Sequence, residues 1–505
     1  MTRRLVAAQH WGRLAADTGQ WAAARDGYAA AIALLPIAAW RGADRAGQEQ
    51  PLRDTRWLAA EAAACALNLG DPAGAVDLLE RGRTVLWNQR LEAAADLHEL
   101  RILAPDLADR LDAARAVLDT DNPDRTAATT DTRVAAAADW DGAMAEVRAR
   151  PELARLLPVP EPPTIPADLN GTVALLVVSR YRRDAILVDR HGARSHELTA
   201  LDFDQLADHI GEYFDALATI VDPDATAAER QAAEAVLRDL LGWLWDTVAA
   251  GVVDRVPRGS RVWWCPTGPL TYLPVHAAGE VPDRVISSYT PTIAALMRAW
   301  RAPDTPEQRV LGVAVPDAPG LPPLPGTRTE LARLADVLPA DTPLTRLEGP
   351  AAGREAVRNA LRNHTWAHLA CHGEQNLAQP SQAALALADG RLGIAEIATR
   401  IGQHADGAYL SACHTTLGGV ELTDEVLHLA AALQHAGSRR VIATLWPIND
   451  ARARGVARQI YATLTADGSF RPDRSATAVR DATLAVRDRF PHAPSQWAPF
   501  VHIGP

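Results

Sequence analysis

The chain of 505 residues is 48% hydrophobic and 22% charged, and its formal net charge is −11. This length predicts two or three domains, and the acidic balance argues against nonspecific binding to nucleic acid or to anionic membranes. All 51 basic residues are arginines, so the sequence excludes Schiff-base chemistry on lysine and is typical, with its abundant Ala, Gly and Pro, of a GC-rich bacterial genome.

The start of the chain carries no predicted targeting segment. Arg3 and Arg4 precede no continuous apolar stretch, and no run of about 18 apolar residues, long enough to cross a membrane, occurs elsewhere. The four cysteines, at positions 65, 265, 371 and 413, are too few for a disulfide framework. The expected location is therefore the cytoplasm, without a membrane partner.

Residues 1–118 predict helices throughout. Trp21, Ala24, Tyr28 and Ile32 recur at helical spacing on one stripe, and Pro36 is expected to end that helix. This region contains no catalytic candidate, so we expect an N-terminal helical domain that serves binding.

A second pair of helices is predicted between residues 57 and 91. One helix is expected to end near Gly70, and Asp71 with Pro72 is expected to begin the next. Small residues at helix crossings resemble tetratricopeptide repeats, but a clean period of about 34 residues is missing, so a nonrepetitive bundle is the alternative. The residues predicted to pack inward are Ala73, Ala75, Leu78 and Leu79.

Residues 119–169 predict a linker and a connecting helix, since 119–135 is polar without periodicity and 158–166 is rich in proline. From residue 170, short apolar runs alternate with helical patterns, which predicts a mostly parallel sheet flanked by helices, opened by a hairpin. The predicted strands are 172–179, 184–189, 261–266, 309–315, 366–371, 407–413 and 440–446, and the predicted helices are 201–219, 225–250 and 423–437, the last with Thr423 as its cap.

Two of these strands end in a Cys-His pair, in the sequences ACHGE (370–374) and ACHTT (412–416). Active sites of parallel sheets gather where the carboxyl ends of neighbouring strands meet. If these two strands are neighbours, His372 and Cys413 meet there as a base and a thiol nucleophile. The backbone N–H groups of Gly373 and Cys413 would then form an oxyanion hole.

Alternatives to a catalytic pair also fit the spacing. A metal site would use Cys371, His372, Cys413 and His414, but adjacent strand residues face opposite sides and C-x-x-C spacing is missing, so no metal is expected. Cys371 is expected to face the core, and His368 is expected to be a satisfied core histidine. His414 is a weaker base candidate than His372. On spacing alone, the catalytic interpretation and two ordinary strand ends are about equally favoured.

Several stretches match one family in its order along the chain. They include WWCPTGPLTYLPVHAAG (263–279), SSYTPTIAAL (287–296), LPPLPGTRTEL (321–331), HLACHGEQN (368–376), LSACHTTLGG (410–419) and WAPFVHIGP (497–505), with ERGRTVLWNQRL (80–91) in the helical region. In these stretches, residues 170–505 resemble the CHAT domain, a caspase-like, separase-related cysteine peptidase domain of clan CD that often follows tetratricopeptide repeats.

The resemblance implies an α/β caspase-like fold over 170–505 and an endopeptidase that cuts a protein substrate with a dyad of His372 and Cys413 and without a cofactor. The residues from His414 to Thr416 depart from the glycine-containing turn that is more usual after the nucleophile. A regulatory protein or the substrate is expected to bind the helical region. The alternative is a non-catalytic scaffold or adaptor of the same fold in a bacterial signalling or defence pathway.

Substrate specificity is predicted from TLWPIND (444–450), which ends one strand and precedes a helix. Asp450 is either the N-cap of that helix or an acid at the mouth of the pocket before the scissile bond. Separase, a relative by fold, similarly has an acidic residue after such a strand and cuts after arginine, and a carboxylate would favour a basic side chain. Trp446 is either a wall of that pocket or a core residue.

Overall fold

The computed structural model describes residues 2–43, 45–86, 89, 98–118, 127–154, 165, 169–302, 305, 307–374, 383–393, 396–397, 405–411, 429–435 and 437–505. Cys413, His414 and Thr423 lie outside these residues. Among the helices that are described, none has the length and apolar character needed to cross a membrane.

The N-terminal region is helical, as predicted. Buried residues of its first helices form one core with part of the sheet that follows, and a separate core lies among its last helices. The resemblance to tetratricopeptide repeats stays a prediction. The helices are α1 (Thr2–Asp17), α2 (Trp21–Ala38), α3 (Arg45–Asp54), α4 (Leu58–Asn68), α5 (Pro72–Gly82), α6 (His98–Leu103), α7 (Pro105–Leu118), α8 (Ala127–Ala149) and α9 (Pro151–Ala154).

The start of α5 follows the predicted signals. Asp71 caps the helix by accepting a hydrogen bond from the Gly74 N–H at 2.8 Å, and Pro72 occupies the first helical position. The prediction for Ala73 is wrong, because its side chain is exposed: it precedes Ala75 by two residues, which turns it about 200° around the helix. The other residues predicted to pack inward are buried: Ala75, Leu78 and Leu79.

The prediction that Pro36 ends α2 is wrong. The helix continues to Ala38, and the N–H of Ala39 donates to the carbonyl of Leu35 at 2.8 Å, so helical hydrogen bonding resumes beyond the proline. Proline removes the hydrogen bond that its own missing N–H would donate, and its ring crowds the carbonyl four residues earlier. The burial of Ile32 and Leu35 in the same helix offsets that loss.

The polar stretch 119–135, expected to be a linker, is helical from Ala127 onwards. Its side chains Thr130, Asp131 and Thr132 are exposed, and the buried positions of this long helix begin at Ala137. Helix α8 packs on α7 around Leu111 and Trp140. Helical structure is therefore also present between residues 127 and 154, and the predicted domain boundaries stay predictions.

The described strands form two sheets. The main sheet has eleven strands in the order β3-β2-β1-β4-β5-β14-β13-β12-β8-β6-β7, and β11-β10-β9 form a small second sheet. Neighbouring strands of the main sheet are parallel except at β3-β2, β2-β1 and β14-β13, which confirms the mostly parallel sheet and its opening hairpin. The strands are β1 (Gly171–Val178), β2 (Arg183–Asp189), β3 (Gly192–Glu197), β4 (Arg261–Pro266), β5 (Ile286–Tyr289), β6 (Val310–Ala314), β7 (Leu344–Glu348), β8 (Trp366–Ala370), β9 (His372–Glu374), β10 (Ala384–Leu387), β11 (Gly390–Gly393), β12 (Gly407–Leu410), β13 (Arg440–Thr444) and β14 (Phe500–Ile503).

Helices flank this sheet, as predicted, and their buried residues share its largest core. Of the helix predicted over 423–437, the structure describes Leu429–His435. The helices are α10 (Gln205–Val221), α11 (Ala227–Leu244), α12 (Ala250–Val253, after a π-helical turn), α13 (Val281–Arg284), α14 (Ile293–Arg301), α15 (Gly326–Val337), α16 (Arg354–Leu361), α17 (Leu429–His435), α18 (Asp450–Leu464), α19 (Ser475–Arg489) and α20 (Pro494–Trp497).

The helical region is joined to the sheet through polar contacts as well as through the shared core. Glu80, in α5, accepts hydrogen bonds from the N–H groups of Ile293 at 2.8 Å and Ala294 at 2.9 Å, at the N-terminus of α14. Buried Arg83 donates to the carbonyl of Pro266 at 2.9 Å, at the end of β4. The matching stretch 80–91 thus includes residues that hold α5 against the sheet.

Candidate active site

Strands β8 and β12 lie side by side and parallel, as the candidate site requires. Their register pairs Gly407 with Trp366 and Leu410 with Leu369, so both strands end at the same edge of the sheet. A Cβ at position 407 would lie 2.6 Å from the Trp366 ring, which explains the glycine there. Ser411 continues the pairing by donating its N–H to the Leu369 carbonyl at 3.0 Å. Cys413 follows two positions later in the sequence, outside the described residues.

His372 begins strand β9, directly after the buried Cys371. The Nε2 atom of its partly exposed imidazole lies 2.7 Å from the carbonyl oxygen of Pro322. Because a carbonyl only accepts hydrogen bonds, Nε2 must carry the proton, which leaves Nδ1 of the neutral ring unprotonated. Nδ1 is therefore the atom of His372 that can take a proton from a nucleophile.

The Pro322 carbonyl belongs to the loop between β6 and α15. The N–H of Leu324 donates to the carbonyl of Pro316 at 2.7 Å and closes this loop on itself. Prolines fix their own φ angles, so the loop has little freedom to move its carbonyls. Residues 321–331 match the family, but no role could be predicted for them from the sequence. Every residue has a backbone carbonyl, so residue types do not reveal which one accepts a hydrogen bond.

Glu374 lies on the same short strand as His372 and is held by Arg391 of β11. The Arg391 guanidinium donates to both carboxylate oxygens, at 2.9 Å to Oε1. These hydrogen bonds lower the pKa of Glu374; burial opposes this effect, and the charges of Arg391 and His372 add to it. Glu374 thus places a negative charge near the imidazole, a feature that sequence reasoning missed.

The other predicted site residues are placed as follows. Gly373 is buried and pairs with Leu385 of β10, and its role in an oxyanion hole stays a prediction. Trp446 is 1% exposed and donates its indole N–H to the Ser495 carbonyl at 3.0 Å. That burial favours the core alternative, and a substrate-binding role for Trp446 stays a prediction.

The N-cap of α18 is Asn449, whose Oδ1 accepts from the Ala451 N–H at 2.9 Å. Asp450 is the first residue of the helix, so the interpretation of Asp450 as the N-cap is wrong. Asparagine and aspartate cap helices about equally well, and the sequence offered both side by side. The role of Asp450 in binding substrate stays a prediction.

The predicted core histidine, His368, lies in a buried polar cluster beneath this edge. It is 0% exposed, its Nδ1 lies 3.0 Å from the Tyr461 hydroxyl, and its ring stacks on Tyr409. Its Nε2 lies 3.2 Å from Oε1 of Glu330, which is 5% exposed. Ser411 donates its hydroxyl proton to the other Glu330 oxygen at 3.0 Å. The cluster therefore reaches the residue at the end of β12.

The two cysteines and two histidines considered as metal ligands are only partly described. Cys371 is buried in the core of the sheet, as predicted, whereas the neighbouring His372 is partly exposed and bonded to Pro322. The side chains of these two residues thus lie in different surroundings. Cys413 and His414 lie outside the described residues.

A family model for the CHAT domain matches residues 234–505, more than half of the chain. The chain belongs to the CHAT domain family. The site of this CHAT protein lies within the matched residues, since His372, Glu330 and Ser411 all fall inside them. A comparison with curated proteins gives no match.

Solved structures match this CHAT protein at low sequence identity. A chain from the Saccharomyces cerevisiae separase–securin complex at 3.0 Å has a TM-score of 0.52 and 10% identity, over 92% of this chain and 37% of that one. The 2.6 Å structure of that complex has a TM-score of 0.49 and 10% sequence identity, and the match covers 91% of this chain and 37% of that one. The Arg-specific cysteine proteinase gingipain R has a TM-score of 0.35 and 10% sequence identity, and the match covers 60% of this chain and 74% of that one. The CHAT protein thus has the caspase-like fold of separase and spans 37% of the chain's length in that complex.

Proposed function

We propose that this CHAT protein is a cysteine endopeptidase in which His372 is the base and Cys413 the nucleophile. Nδ1 of His372 takes the thiol proton, and the sulfur attacks the carbonyl carbon of a peptide bond. The imidazolium then gives its proton to the leaving amine, and a thioester remains on Cys413. Water hydrolyses the thioester and regenerates the thiol. The N–H groups of Gly373 and Cys413 are the proposed donors to the oxyanion.

The observation that carries this proposal is the contact of 2.7 Å between Nε2 of His372 and the Pro322 carbonyl. It fixes the tautomer that a base needs, and it orients the ring with a backbone group that no substitution of side chains removes. A core histidine would need neither partial exposure nor a carbonyl from a separate loop. The parallel register of β8 and β12 supports the same proposal, because it brings the end of β12, three positions before Cys413 in the sequence, to the edge of the sheet at which β8 also ends.

We further propose that the helical region recruits a protein substrate or a regulatory protein. The shared core and the contacts of Glu80 and Arg83 support this, because they join the helices rigidly to strands and helices of the CHAT domain. A ligand that binds such a region is held at a fixed distance from the site. Preference for a basic residue before the cut, through Asp450, and a cytoplasmic location are part of the same proposal.

The proposal is tested with a thiol-directed peptidyl probe and a peptide library on the full chain. We expect the wild type to be labelled and to cleave, and Cys413→Ala to lose at least about 10⁴-fold of its hydrolysis rate. Cys371→Ala is the matched control: it removes a thiol one residue from His372 but leaves the site, so most activity should remain. Absence of labelling and cleavage, with or without a bound protein partner, would favour the non-catalytic scaffold instead.

A further inference from the structure

Helix α15 carries a buried carboxylate, Glu330, beside the strand that leads to Cys413. We propose that Glu330 is a positioning residue of the site, a proposal that rests on the proposed function. Its carboxylate anchors Ser411 and so fixes the point at which the chain leaves β12. The supporting contact is the hydrogen bond of 3.0 Å from Ser411 Oγ to Glu330 Oε2.

The surroundings of Glu330 are unusual for a structural carboxylate. Within the described part of the chain it forms no ion pair with an arginine; its polar contacts are Ser411 and His368. Its Oε1 faces Nε2 of His368 at 3.2 Å, but neither of these two atoms has hydrogen-bond geometry to a described partner. A buried carboxylate is costly unless it is fully hydrogen-bonded, so a neutral side chain would serve a purely structural role better.

The protons of this cluster can be assigned from donors and acceptors. Trp366 donates its indole N–H to the Tyr461 oxygen at 2.9 Å, and the Tyr461 hydroxyl then donates to Nδ1 of His368 at 3.0 Å. The proton of His368 is then on Nε2, which faces Glu330. With this assignment, each polar hydrogen of the cluster points to an acceptor or faces a carboxylate oxygen. Glu330 in its ionised form thus faces two donors, Ser411 and His368.

One short segment of chain contacts both His372 and Ser411, which precedes Cys413 by two positions in the sequence. The carbonyl of Pro322 holds His372, and Glu330, eight positions later (330 − 322), holds Ser411. The residues between them close the loop and begin α15, which approaches the sheet closely because position 312 of β6 is a glycine: a Cβ there would lie 2.3 Å from the Leu331 side chain. The segment 322–330 therefore sets the position of the base strand and of the nucleophile strand together.

Catalysis by a thiol and an imidazole depends on their relative position, and a displacement of about 1 Å costs roughly 100-fold in rate. Glu330→Gln keeps the shape of the side chain and removes its charge. Ser411 and His368 face different oxygens of Glu330, and the amide replaces one of these oxygens with an NH2 group, so one of the two residues would face a donor instead of an acceptor. We expect kcat to fall about tenfold with KM changed less than about twofold, since the interaction acts on the reacting groups and not on substrate binding.

The experiment compares Glu330→Gln, Ser411→Ala and the double variant on the full chain. Two rates are measured: peptide hydrolysis, and alkylation of Cys413 by iodoacetamide, followed by mass spectrometry of the peptide that contains it. If Glu330 acts through Ser411, the double variant loses no more than the worse single variant, because both changes break the same contact. Glu355→Gln, at a position 81% exposed, is the matched control and should behave as wild type.

Tyr461→Phe separates positioning from general loosening of the cluster. It removes the hydroxyl on the far side of His368, so it should lower thermal stability while leaving both rates near wild type. Additive losses in the double variant, or rates in Glu330→Gln equal to those of wild type, would overturn the inference. If the wild type cleaves no peptide, the proposed function fails, yet the alkylation rates still decide whether Glu330 positions the Cys413 segment.

Discussion

Two glutamates mark two regions of the molecule that differ in how completely their oxygens are hydrogen-bonded. At the junction of the helical region with the sheet, both oxygens of Glu80 accept from backbone N–H groups of α14, and Thr292 caps the next N–H, of Ala295. Beneath the candidate site, Glu330 has one bonded oxygen, and its other oxygen faces His368 without hydrogen-bond geometry. The first arrangement serves stability, and the second leaves a buried carboxylate incompletely hydrogen-bonded beside Ser411, two positions before Cys413 in the sequence.

Side-chain changes at the junction should affect stability, and changes at the candidate site should affect rate. Contacts that satisfy a helix terminus are formed once, on folding, and do not change during a reaction. In the proposed peptidase, contacts at the edge of β8 and β12 hold residues whose positions matter at each turnover. Changes at Glu80 and at Pro322 should therefore have opposite signatures.

The largest difference in stability between changes in the two regions is expected for Glu80→Ala. The variant leaves the N–H groups of Ile293 and Ala294 without their acceptor, which should lower the free energy of unfolding by about 2–3 kcal/mol. Chemical denaturation measures this change. Asp77→Ala, on the exposed side of the same helix, is the control and should have little effect. A fall in kcat of Glu80→Ala without a loss of stability would break the comparison.

The next effect in size concerns the loop that holds His372. Pro322→Gly keeps the carbonyl but frees the backbone, so we expect kcat for peptide hydrolysis to fall roughly tenfold, or about 1.4 kcal/mol. Glycine also adds conformational entropy to the unfolded chain, so a loss of stability of about 1 kcal/mol should be shared by the control variant. Pro323→Gly makes the same chemical change one residue away, at a carbonyl that does not hold the imidazole. Equal losses in both variants would mean that general loop stiffness matters and not the bond to His372.

The smallest effect is expected from Arg391→Gln, which removes the guanidinium that lowers the pKa of Glu374. A lowered carboxylate pKa contributes stability above the unfolded pKa, and this contribution is lost as the pH falls through the folded pKa. The variant should therefore be slightly less stable than wild type at pH 7, and the difference should shrink as the pH falls below the ordinary glutamate pKa and disappear below the lowered pKa of Glu374 in the folded protein. Denaturation curves at several pH values measure it. A difference that grows in acid would contradict the assignment.

The sequence predicted well what depends on continuous apolar runs. β4 was predicted with its observed bounds, and β8, β12 and β13 within a few residues, because buried parallel strands are apolar on both faces. The same pattern predicted that the strands before His372 and Cys413 end at the same edge of the sheet. Short strands such as β9 and β11, with sequences HGE and GRLG, carry no such pattern and were missed.

Contacts formed by tertiary structure were also beyond sequence reasoning. The Pro322 carbonyl reaches His372 across 50 positions, and Glu330 reaches Ser411 across 81. No helix or strand periodicity links residues that are so far apart in the sequence. A backbone carbonyl is present in every residue, so the sequence cannot mark the one that accepts. The choice between Asn449 and Asp450 as a helix cap failed for a different reason: two good capping residues stand next to each other, and only the backbone geometry decides between them.

The central claim, that His372 is the base for Cys413, is tested most directly by the pH dependence of Cys413 alkylation. The rate with iodoacetamide is measured from acid to alkaline pH in the wild type and in His372→Gln, with the Cys413 peptide quantified by mass spectrometry. A free thiol becomes reactive near its pKa of about 8.5, whereas a thiol paired with an imidazole forms thiolate at lower pH. We predict that the wild-type rate already rises below neutral pH and that the profile of His372→Gln moves to about 8.5. Identical profiles in the two proteins would contradict the claim.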